Sequence, residues 1–126
     1  MARILIIDDD HQMRGVLRDL LESHGYDVIE ASDGAVGSRL YREGPADLII
    51  TDIFMPSQEG LETIRGLRRA FPDARVIAMS GGMSNRGYDP LPIARALGAR
   101  RTLAKPFHND DLLKAVSEVL EEPGRE

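Results

Sequence analysis

The sequence predicts a three-layer α/β domain, a doubly wound five-stranded parallel sheet with helices on both faces. Three observations carry this. Along 126 residues, short aliphatic runs alternate five times with stretches whose apolar residues recur at helical spacing. The connections are short, so successive strands must return through helical crossovers, and right-handed crossovers cover both faces of a sheet. Leu48, Ile49 and Ile50 are contiguous rather than alternating with polar residues, the pattern of a strand buried on both sides.

Each element has its own justification. Residues 3–8 read as a buried strand. Met13, Val16, Leu17, Leu20 and Leu21 then repeat at helical spacing, and Gly25 closes that helix because glycine accepts the left-handed backbone that ends helices. Residues 27–31 form the second strand. Asp33 caps a helix carrying Val36 and Leu40 and ending near Gly44 and Pro45. Residues 47–52 make the third strand, Leu61, Ile64, Leu67 and Phe71 mark a helix stopped by Pro72, and residues 75–80 supply the fourth strand. A short helix over about residues 92–97 and a weaker strand over 100–104 follow. Leu112, Leu113, Val116, Val119 and Leu120 form the apolar face of the last helix. The expected domain spans residues 1–122, and 123–126 form a short polar tail.

Composition narrows the function classes. An apolar fraction of 42% and a charged fraction of 29% are those of an ordinary soluble globule and favour neither a disordered nor a fibrous class. A net charge of −5 offers no general attraction to nucleic acid or to an anionic membrane, and no basic stripe or helix-turn-helix pattern appears, so neither is an expected partner. The absence of cysteine rules out disulfides, zinc-thiolate sites and thiol nucleophiles. The opening MARILIIDDD has too short an apolar run for a signal peptide, and no later stretch approaches a membrane span. The expected location is the cytoplasm.

In a doubly wound sheet, ligands bind outside the carboxyl ends of the strands. There this sequence places Asp8, Asp9 and Asp10 after the first strand, Asp52 after the third, Ser80 after the fourth and Lys105 after the fifth. A nucleotide-binding domain of this architecture carries a glycine-rich turn after its first strand, whereas acids in that place repel phosphate. Carboxylates gathered at one edge also repel each other and need a cation, a shifted pKa or both. Oxygen donors without converging His or Cys fit a hard ion such as Mg²⁺, which keeps several waters and so leaves places for the oxygens of an incoming phosphoryl group.

The run IDDD after the first strand, the segment LIITDIFMPSQEG, the pair Ser80-Gly81 and the run LAKPF occur in this order over nearly the whole chain. Together they resemble the receiver domain of two-component response regulators, the CheY-like domain. The resemblance implies a flavodoxin-like sheet of strand order 2-1-3-4-5. It implies that Asp8 and Asp9 organise Mg²⁺ together with Asp52 and the backbone carbonyl of Phe54. It further implies that Asp52 accepts a phosphoryl group from a phosphohistidine, that Ser80 is the switch hydroxyl, and that Lys105 is the lysine that pairs first with Asp52 and then with phosphate. A cis Lys105-Pro106 peptide belongs to the same pattern. The implied partners are a sensor histidine kinase or a histidine phosphotransfer protein and a downstream protein target. The implied activity is a phosphorylation switch or relay, without turnover of a free substrate and without an output domain in this chain.

Two features depart from the family pattern. Thr102 stands where many receivers carry an aromatic residue that swings inward when the hydroxyl engages phosphate. The stretch after Ser80 is long and holds Pro90 and Pro92, which should delay the fourth helix and leave residues 83–89 as a loop. Other readings stay open. A Mg²⁺-dependent phosphohydrolase of the haloacid-dehalogenase type needs an acid two residues after the nucleophile, where Phe54 stands. A degenerate receiver would act through unphosphorylated protein contact. Asp52 and Lys105 also suit a structural ion pair, Ser80 a backbone-satisfied strand end, and Asp10 a helix cap. His11, His24 and His108 fall near helix ends and read as surface residues, with His11 near enough to touch the acidic cluster.

Overall fold

A computed structural model describes residues 2–53, 60–81 and 91–122. In chain order the elements are β1 (Arg3–Ile7), α1 (His11–Ser23), β2 (Asp27–Ala31), α2 (Gly34–Glu43), β3 (Leu48–Asp52), α3 (Gly60–Ala70), β4 (Val76–Ser80), α4 (Leu91–Ala96), β5 (Arg101–Ala104) and α5 (Asn109–Glu121). All paired strands run parallel, in the order β2-β1-β3-β4-β5. The fold is the three-layer doubly wound one that the alternation of strands and helices requires.

The period of two along each strand divides the core. Leu5, Ile7, Ile49, Val76 and Ala78 project to one face and pack with Tyr41, Ile53, Ile64, Leu67 and Ala94 from the α2, α3 and α4 side. Ile4, Ile6, Leu48, Ile50, Ile77 and Met79 project to the other and pack with Leu17, Leu21, Leu112, Val116 and Val119 of α1 and α5. Every residue of β3 and β4 is buried, so the contiguous aliphatics serve both layers. Each such side chain contributes roughly 1.5–3 kcal/mol through removal from water.

Local signals set most of the boundaries. Asp10 caps α1 by accepting from the Gln12 and Met13 amides, and Asp33 caps α2 by accepting from the Val36 amide at 2.8 Å. Gly25 follows the end of α1 at φ 89°. The first strand ends at Ile7, so Asp8 already belongs to the turn rather than to the strand. Residues 47, 75 and 100 also precede their strands, and α3 stops at Ala70, one residue short of the predicted Phe71. Phe71 instead packs edge-on against Tyr41, with ring centroids 5.0 Å apart. Helix α4 starts at Leu91 with Pro92 in its first turn, where proline loses no helical hydrogen bond. The expected loop over 83–89 and the tail over 123–126 lie outside the described residues. Among the described residues no helix is long and apolar enough to cross a membrane.

Candidate metal centre at the carboxyl edge

Three strand ends build the site. The carboxylates of Asp8, Asp9 and Asp52 each offer an oxygen, and these oxygens lie within 4.8 Å of one another. Asp8 is fully buried and Asp52 nearly so, while Asp9 is exposed, so the cluster has a closed floor and an open side. Lys105, at the end of β5, places its Nζ 3.4 Å from Asp8 Oδ2 and 3.4 Å from Asp52 Oδ2. Among the described residues, three carboxylates meet one ammonium here, an excess of two negative charges within this group of four.

Magnitudes show what that imbalance requires. At an effective dielectric near 20, like charges this close repel by roughly 3–4 kcal/mol per pair, and the ammonium attracts each neighbouring carboxylate by roughly 5. Lys105 therefore offsets the mutual repulsion, but the cost of desolvating Asp8 and Asp52 remains. A divalent cation, if bound from the open side, would offset that excess. The donor set is all carboxylate oxygen, which fits Mg²⁺ and suits no soft metal.

Backbone contacts hold the cluster in shape. The Asp10 amide donates to Asp8 Oδ1 at 2.9 Å, and the Asp8 amide donates to the Ala31 carbonyl at 3.1 Å. The Lys105 amide donates to the Ser80 carbonyl at 2.6 Å, tying the ends of β4 and β5 together, and the Lys105-Pro106 peptide is cis. Gly60 opens α3 directly beneath Asp52. Its amide donates to Ile53 O at 2.6 Å, and a Cβ there would meet Asp52 O at 2.2 Å and Ile53 Cα at 2.5 Å. Glycine is required by close approach rather than by left-handed backbone.

Of the residues named from sequence, Asp8, Asp9, Asp52 and Lys105 come together as a single cluster. Ser80 ends the strand between Asp52 and Lys105 and is fully buried. Asp10 faces away as the α1 cap. Phe54, assigned a carbonyl ligand by resemblance, lies outside the described residues. His11 is exposed and meets Arg14 at 3.2 Å, His24 lies against the Leu20 carbonyl, and His108 precedes α5 without a side-chain cap bond. Two residues escaped the sequence reading. Arg14 of α1 donates through Nη1 to the Asp8 carbonyl at 2.7 Å and through Nε to Glu30 Oε1 at 3.3 Å. Glu30 also accepts from Arg18 Nη1 at 2.9 Å. The available signal was an acid in the interior of the second strand, opposite arginines four residues apart on a helix.

The pocket beside Thr102 bears on the departure from the family pattern. Thr102 Oγ1 accepts from Arg95 Nη2 at 3.0 Å, and both line a groove of about 520 Å³ with Leu91, Pro92 and Ala96.

The family model for the response regulator receiver domain matches residues 4–117. The chain is 33% identical over 120 residues to the chemotaxis protein CheY of Bacillus subtilis, covering 94% of this chain and 97% of that protein. It is also 33% identical to the response regulator receiver protein CpdR of Brucella abortus, covering 95% and 98%. Among solved structures, the response regulator protein TrrA of Thermotoga maritima in complex with Mg²⁺ and BeF superposes with a TM-score of 0.83 at 29% identity, over 94% of this chain and 99% of that one.

Proposed function

Because the chain belongs to the response regulator receiver domain family of two-component systems, we propose that it is a phosphorylation switch or relay whose acceptor is Asp52. The observation that carries this reading is the convergence of Asp8, Asp9 and Asp52 within 4.8 Å around an edge that Lys105 closes from one side. An Asp52 carboxylate oxygen attacks the phosphorus of a phosphohistidine. The new O–P bond gives an aspartyl phosphate, the P–N bond breaks, and the imidazole nitrogen leaves with the bonding electrons and takes a proton from water. Asp8, Asp9 and Asp52, with the Phe54 carbonyl that the family resemblance implies, would hold Mg²⁺, whose charge would offset that of the phosphoryl oxygens. Lys105 exchanges its contact with Asp52 for one with a phosphate oxygen, and the Ser80 hydroxyl donates to another, coupling phosphoryl gain to a change of a distant surface.

The partner is a sensor histidine kinase or a histidine phosphotransfer protein in the cytoplasm. The exposed Asp9 marks the side open to it, and an apolar recess of about 150 Å³ lined by Met13, Val16, Pro106 and Phe107 lies next to Lys105. The chain turns over no free substrate: it catalyses only its own phosphoryl gain and loss. Incubation with Mg²⁺ and acetyl phosphate, followed by intact-mass measurement, tests this. One labile phosphoryl adduct is expected, absent from Asp52→Asn. Sustained phosphate release would point to a hydrolase instead. No adduct would favour a degenerate receiver working by protein contact alone, a reading supported by Thr102 in the aromatic position.

A further inference from the structure

We propose that Arg14 is a positioning residue for the acidic turn, and that Glu30 fixes it there so that Asp8 and Asp9 present their carboxylates to a divalent cation. This deepens the proposed function and rests on it.

The Asp8 carbonyl lies just past the last residue of β1, where strand pairing has ended. A carbonyl at the rim of a buried cluster needs a donor, and Arg14 Nη1 supplies one at 2.7 Å. The same guanidinium is held elsewhere on both sides: Nε donates to Glu30 Oε1 at 3.3 Å, and Nη2 faces His11 Nδ1 at 3.2 Å. Its side chain is only 13% exposed. Glu30 sits on β2, the strand paired with β1, in register with Ile6. The contact thus bridges α1, the acidic turn and β2.

Charge explains why the arrangement positions rather than neutralises. A free guanidinium next to three carboxylates would compete with Mg²⁺ for them. Glu30 engages Arg14 and also takes Arg18 at 2.9 Å, so the guanidinium is pinned to a carboxylate of its own and its contact with the turn is through the Asp8 backbone. The Asp8 carboxylate is then held by the Asp10 amide and by Lys105. With its carbonyl anchored and its carboxylate clasped, Asp8 cannot splay away from Asp9 and Asp52 to relieve their repulsion. Groups that orient metal ligands in this way typically change affinity tenfold or more when removed.

The test titrates magnesium chloride calorimetrically into wild type, Arg14→Gln, Arg14→Lys and Glu30→Gln. It also follows amide hydrogen exchange of the metal-free proteins. Arg14→Gln is expected to weaken Mg²⁺ binding by about tenfold. Arg14→Lys should recover part of the loss, and Glu30→Gln should weaken binding in the same direction. In the metal-free Arg14→Gln protein the Asp10 amide, which donates to Asp8, should exchange faster while the β1 amides keep their wild-type protection. Wild-type Mg²⁺ affinity in Arg14→Gln overturns the inference and leaves the proposed function standing, and so does a uniform rise in exchange throughout the chain. Failure of the wild-type protein itself to bind Mg²⁺ overturns the proposed function, and the Asp10 exchange then still decides whether Arg14 holds the turn.

Discussion

Lys105 is the residue on which the charge balance of the site turns. Its ammonium lies 3.4 Å from each of two buried carboxylates. Lys105→Met removes the ammonium that contacts both Asp8 and Asp52. Metal-free protein is then expected to lose about 2 kcal/mol or more of unfolding free energy in urea titrations at neutral pH. Added Mg²⁺ should stabilise the variant more than it stabilises wild type, because the ion replaces the missing charge. Asp8, Asp9, Asp52 and Lys105 were legible in the sequence because each sits where an apolar run ends, and the carboxyl ends of parallel strands share one edge. Arg14 and Glu30 were not, because the acid in β2 and the arginines four apart on α1 hint at a pairing whose geometry depends on how far α1 rotates over β2.

The start of α3 supports Asp52, the proposed acceptor. Gly60→Ala places a methyl 2.2 Å from Asp52 O, against backbone that cannot turn aside as a flexible side chain can. The variant is expected to lose roughly 1–3 kcal/mol of stability and to slow phosphoryl acceptance, since Asp52 must move with its carbonyl. Gly66→Ala, on the same helix with nothing within 4 Å of its added carbon, serves as the control. It should instead gain roughly 0.5–1 kcal/mol through helix propensity.

The far end of α5 is held by charge. Glu122 accepts from Arg100 at 3.1 Å and from Arg101 at 2.7 Å, while Arg75 donates to the Glu122 and Leu120 carbonyls at 2.7 and 3.4 Å. Burial pushes the Glu122 carboxyl up, but the hydrogen bonds from Arg100 and Arg101, and their charge, outweigh it and leave the pKa below the ordinary 4.5. A carboxyl lowered on folding contributes stability above its unfolded pKa and loses it as pH falls through the folded value. Glu122→Gln should therefore melt below wild type at neutral pH, and the two curves should converge on acidification below the usual glutamate range. The caps at Asp10 and Asp33 were readable in advance because a capping side chain bonds within its own first turn. The clamp at Glu122 ties the residue before β4 and the start of β5 to the end of α5 across 47 positions and was not.

At the scale of the whole molecule, the sheet order builds the candidate site. The order β2-β1-β3-β4-β5 puts β1 and β3 side by side at the centre, so Asp8 and Asp52 meet although 44 residues separate them, and β5 brings Lys105 in from the edge. Alternating strands and helices made the doubly wound class legible. The order itself followed from the resemblance, because apolar runs do not state which neighbour a strand chooses. The departure at Thr102 is likewise visible in sequence, whereas its replacement partner Arg95 is visible only once α4 lies over β5.

Trapping the acceptor chemically tests the proposed switch most directly. Borohydride reduces an acyl phosphate to an alcohol, so treating the protein after incubation with Mg²⁺ and acetyl phosphate, then mapping its peptides, reads the modified residue. The expected result is conversion of Asp52 to homoserine, dependent on Mg²⁺, with Asp8 and Asp9 unchanged. Conversion at Asp8 or Asp9, or at no residue, would contradict it.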